Sequence, residues 1–155
     1  MNSTGLDVFD KTLQTTHVWL RELSHKDAIG PDKQLAWHAL GAVLRAVRDQ
    51  IPVELAAHLG AELPLLVRGT YYDQFRPEVM PKRERSREVF LRRISDELSM
   101  SSPTDVVDAT QAVLAVLSHY LNPDQIRKVR DAMPADVRTI WPDPDASHSE
   151  ASSVQ

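Results

Sequence analysis

The chain has no cysteine and only five glycines in 155 residues. The first absence removes disulfides, thiolate zinc sites and cysteine nucleophiles together, and it suits a reducing compartment. The second leaves little backbone freedom for cradling a phosphate. No P-loop, Gly-x-Gly-x-x-Gly fingerprint, Gly-x-Ser-x-Gly elbow or His-Glu-x-x-His pair occurs. No run approaches the ~18 apolar residues of a membrane-spanning helix. Residues 1–7 lack the basic start and apolar stretch of a secretory signal, so a cytoplasmic location away from membranes is expected. Alternating β-branched runs bounded by turns are missing as well, which argues against sheet. Net charge is −4, too mild and of the wrong sign to draw in nucleic acid without a local basic patch.

What the chain does have is proline at regular intervals and the same pattern written twice. Ala42-Val43-Leu44 recurs as Ala112-Val113-Leu114, and Pro64 with Val67-Arg68 recurs as Pro134 with Val137-Arg138, a register of seventy that holds without a gap over residues 39–71. With 42% apolar residues there is enough material for one interior. Apolar residues three and four apart predict helices over 9–24, 32–51, 53–62 and 65–75 in the first copy. The second copy starts at Val89-Phe90-Leu91, matched to Val8-Phe9. It continues with a helix over 103–121, one opened by Asn122-Pro123-Asp124-Gln125, and a last segment ending at Trp141-Pro142. The expected fold is all-α, a tandem pseudo-twofold repeat of about four helical segments each, packed as a compact bundle. It forms a single domain over 6–142, with repeat one at 6–76 and repeat two at 83–142. The long second helices form its centre, burying Trp37, Leu44 and Val47 with Val107, Leu114 and Leu117. Residues 143–155 are serine-rich and acidic, composed like a disordered tail.

The stretch Leu63-Pro64-Leu65-Leu66-Val67-Arg68-Gly69-Thr70-Tyr71-Tyr72-Asp73, then Arg76-Pro77, then Arg83-Glu84-Arg85-Ser86-Arg87-Glu88-Val89-Phe90-Leu91, resembles the bacterial family known as domain of unknown function 2267. The likeness takes in Thr16 and Trp19-Leu20-Arg21 and runs through the second repeat, covering most of 9–142. It implies a small, all-helical, tandem-repeat protein of the bacterial cytoplasm, and it implies no particular activity. The chain has Gln74-Phe75 where a Gly-Trp pair is common in the family, which keeps an aromatic and removes a flexible residue.

Three constellations could carry function. Arg68, Tyr71, Tyr72, Asp73 and Arg76 combine aromatic and guanidinium groups that suit a partner surface. Against that reading, Arg68 and Tyr71 have counterparts in Arg138 and Trp141, which points to packing and an inter-repeat hinge. The basic run Lys82, Arg83, Arg85, Arg87, Arg92 and Arg93 could contact phosphates. Glu84 and Glu88 are interleaved at ion-pairing distance and no aromatics alternate with the arginines, so a solvated face is expected there and nucleic acid is not. Glu54, His58 and Glu62 share one helical face, an arrangement open to a metal-binding or metal-assisted hydrolase reading, or to a plain polar surface. The expectation is a non-enzymatic interaction or accessory module without cofactor or metal, taking a protein partner or a second copy of itself.

Overall fold

The computed structural model describes residues 4–82, 86–100 and 103–142. The expected disordered tail at 143–155 and the cations Arg83 and Arg85 lie outside them. The elements among the described residues are all helical, with no strand: α1 (Asp7–Ser24), α2 (Lys33–Arg48), α3 (Val53–Glu62), α4 (Leu65–Tyr71), a 3-10 turn (Pro77–Val79), α5 (Arg87–Leu98), α6 (Pro103–Tyr120), α7 (Pro123–Ala132) and α8 (Ala135–Arg138).

Short polar side chains and prolines set where these helices begin. The Asp32 carboxylate accepts from the amides of Gln34 and Leu35 at 2.9 and 3.3 Å. Ser86 caps α5 through the Val89 amide at 3.2 Å, and Asn122 caps α7 through the Asp124 amide at 2.8 Å. Pro52, Pro64 and Pro134 stand at the N-caps of α3, α4 and α8, where a residue without an N–H leaves nothing unpaired. The helices α2, α3 and α4 start seventy residues before α6, α7 and α8 respectively.

α2 and α6 pack against each other at the centre; α1 and α5 each lie across both of them. Leu40, Leu44 and Val47 on α2, with Val113, Leu114 and Leu117 on α6, are buried. Each such side chain contributes roughly 1.5 to 3 kcal/mol before entropy. Leu44, Val47, Leu114 and Leu117 are buried as expected, but at the N-terminal ends of α2 and α6 the buried residues differ from the expected ones. Ala36 and Val106 are buried, whereas Trp37 and Val107 sit half-exposed at the rim. A helix packs most closely through its small residues, and Ala36, Ala39 and Ala42 let α2 approach its neighbours while the indole of Trp37 is left beside the contact.

α1 differs in a second way. Trp19, Leu20 and Leu23 are buried, but Phe9 is 52% exposed and Leu13 37%. The first turns of α1 therefore extend beyond the core. Phe90 on α5 is 1% exposed and, with Ile94, does for α5 what Trp19 and Leu23 do for α1. The match of Val89-Phe90 to Val8-Phe9 thus pairs residues with different surroundings.

Candidate functional site

α2 ends on Arg48 and Asp49, two charged residues at 1% and 6% exposure. An interior arginine must spend its donors on partners, because an unpaired charge costs several kcal/mol. Arg48 Nε bonds the Asp49 carboxylate at 2.8 Å. Its Nη1 donates to the carbonyls of Tyr71 and Asp73 at 2.6 and 2.7 Å, and its guanidinium lies 5.5 Å from the Phe75 ring centroid. These bonds hold the turn that follows α4. That is why α4 stops at Tyr71 instead of running to 75: carbonyls that would continue the helix face Arg48. Gln74 takes φ +57° in this turn, a left-handed conformation that favours glycine, so glutamine holds it at a cost that the surrounding bonds must offset.

The other Asp49 oxygen accepts from Arg93 of α5, and the Asp49 backbone carbonyl accepts the Lys82 amide at 2.9 Å. One residue therefore ties together the end of α2, the linker and α5. Next to it, Arg45 donates to the Thr70 hydroxyl and carbonyl at 2.7 and 3.1 Å and pairs with Glu97 at 3.0 Å. Burial pushes the Asp49 carboxyl up, but the hydrogen bonds and charges of Arg48 and Arg93 outweigh it and hold it below the usual carboxylate range. A carboxyl lowered in the folded state stabilises the fold above its unfolded value, and that contribution is lost as pH falls through the lowered value. Urea melts should show that Asp49→Asn is less stable than the parent near neutral pH. The gap between the two should close as the pH is taken down through and below the ordinary carboxylate range. A gap independent of pH would refute the charge network.

The five residues of the expected partner surface separate into four settings. Arg68 donates to the carbonyls of Gly60, Ala61 and Leu63 at 2.9, 3.1 and 2.9 Å, closing the C-terminus of α3. Arg138 does not repeat this; in the second half Arg130 reaches a carbonyl, that of Trp141, at 3.0 Å. Tyr71 is fully buried, its hydroxyl donating to the Ala56 carbonyl at 2.6 Å, and desolvation raises its pKa far above the ordinary tyrosine value. Tyr72 is half-buried, edge-on to both Tyr71 and Phe75. Its phenol fills the notch left by Gly60, where a β-carbon would overlap the ring and hydroxyl. Asp73 and Arg76 are exposed, and Arg76 pairs with Glu78 at 3.0 Å.

Two adjoining cavities lie along the linker. One, of about 550 Å³, has walls that include Ala46, Phe90, Arg92, Asp96 and Glu97. The other, of about 490 Å³, includes Asp49, Phe75, Arg76 and Val79, and both are lined by Gln74, Lys82 and Arg93. The chain thus carries a cleft between its linker and α5, backed by the Arg48–Asp49–Arg93 network.

The family model for an uncharacterized conserved protein, DUF2267, matches residues 16–140. The chain belongs to the DUF2267 family. No curated protein matches it. The DUF2267 match spans every residue that forms the cleft, from Arg48 and Asp49 through the linker to α5. It starts after Phe9 and Leu13, so the exposed first turns of α1 fall outside it.

The remaining candidates stand apart from the cleft or at its edge. Glu54, His58 and Glu62 are exposed on α3, and no three His, Asp or Glu side chains among the described residues come together to hold a metal. Arg87 is engaged by α8, its amide donating to Asp136 at 3.0 Å and its guanidinium bonding Thr139. Arg92 is exposed at the cleft wall. No helix among the described residues is long and apolar enough to cross a membrane. Sequence reasoning passed over Arg48 and Asp49. Their only signal was a charged pair ending an apolar helix where the second copy has Ser118-His119.

Proposed function

We propose that this chain is a duplicated helical unit serving in the cytoplasm as a non-catalytic binding module, which receives a segment of a protein partner in the cleft between linker and α5. One observation carries the reading: the cavities meet at Gln74, Lys82 and Arg93, where the two halves of the sequence diverge and where a buried ionic network fixes the walls. The α2 end that reaches α5 uses Asp49 against Arg93. The corresponding α6 end uses His119 against Glu22 of α1 at 2.6 Å, with opposite polarity, and Tyr120 there stacks on Trp19. The two ends present different chemistry, which suits a single partner site better than a symmetric pair.

Self-association is the second reading, favoured by the exposed Leu6, Phe9 and Leu13 on the projecting turns of α1. Capture of partners from native lysate, alongside light scattering, separates the two. The module should retain a partner that the double variant Arg76→Glu, Lys82→Glu loses. A monomeric mass with no partner would overturn both readings. A dimer lost on Phe9→Ser would favour self-association.

A further inference from the structure

We infer that the cleft reads an acidic protein segment, a claim that rests on the binding-module reading and adds the chemistry of its partner. The cavity nearer the turn is walled by Arg76, Lys82 and Arg93 against the single carboxylate of Asp49. That carboxylate is already matched by the buried Arg48 guanidinium at 2.8 Å, so the arginines and lysine facing the cavity form a surplus. The pair of Arg76 with Glu78 is largely exposed, 69% and 60%, and is easily traded for another carboxylate. Lys82 has no ion pair among the described residues.

Arg93 is also held in advance, and so is the backbone that carries Lys82. The Lys82 backbone is fixed by its bond to the Asp49 carbonyl, and one Nη of Arg93 is fixed by the Asp49 carboxylate. Groups ordered before binding lose less entropy when a ligand arrives. Phe75 and Val79 add an apolar wall, which fits a segment carrying an apolar side chain among its acids. The other cavity adds Arg92 to Lys82 and Arg93, and of its two carboxylates, Asp96 and Glu97, the second is already paired with Arg45.

The test is fluorescence anisotropy with the full chain and an acetylated ten-residue peptide of glutamates around one leucine. A lysine-substituted peptide and a single-stranded RNA of equal length serve as comparisons. Saturable binding of the acidic peptide is expected. It should weaken about tenfold or more in Arg76→Glu, Lys82→Glu, and should be unchanged in Lys128→Glu on α7, which makes the same kind of charge change elsewhere. All three positions are exposed, and thermal melts check that each variant stays folded. No saturable peptide binding, tighter binding of the RNA, or an equal loss in Lys128→Glu would overturn the inference. If the peptide fails while lysate capture still depends on Arg76 and Lys82, acidic recognition is wrong and the binding-module reading stands. If both fail, both are wrong.

Discussion

Replacing Arg48 with methionine should destabilise the fold by about 3–5 kcal/mol, the usual result of removing one partner from a buried ion pair. Methionine fills much of the arginine volume, so the loss comes from groups left behind. Asp49 would keep Arg93 alone, and the carbonyls of Tyr71 and Asp73 would lose the donor that holds the turn after α4. Gln74 would then pay for its left-handed conformation without compensation. Arg93→Met should cost less, because its side chain is 24% exposed and water can replace it. Adding Asp49→Leu to Arg48→Met should recover part of the loss, since an apolar pair needs no partner. Urea denaturation of the three variants measures this. A loss under about 1 kcal/mol for Arg48→Met would mean that the network is incidental to the fold.

That network also marks where sequence reasoning stops. Helix α3 is legible to the residue, 53–62, because proline and local spacing are both local signals. The end of α4 is not, because it is decided by Arg48, more than twenty positions earlier in the chain. Nor is the edge of the buried α2 face legible. A single helix offers Ala36 and Trp37 as rival edges of one stripe, and only the neighbouring helices choose between them. In the candidate site, Arg68 and Tyr71 were visible as a motif, but their roles depend on which carbonyls of α3 they meet. Asp49 and Arg93 lie 44 positions apart, and nothing in their spacing announces the contact.

The two phenylalanines of the first and fifth helices should part company by a wide margin. Phe90→Ala should destabilise the protein by about 3–5 kcal/mol, the range for emptying a buried aromatic site. Phe9→Ala should cost within about 0.5 kcal/mol, as surface changes do. In sequence they invite the same reading, since each follows valine near the start of a helix. Their surroundings separate them: Phe90 is 1% exposed in the core under α5, and Phe9 is 52% exposed on turns that extend past it. Thermal or urea unfolding of both variants tests the placement. Near-equal losses would mean that the start of α1 is packed against something in solution, and concentration-dependent unfolding would identify it as a second copy. Loss confined to Phe90 leaves Leu6, Phe9 and Leu13 without a share in the fold, and so available to a partner.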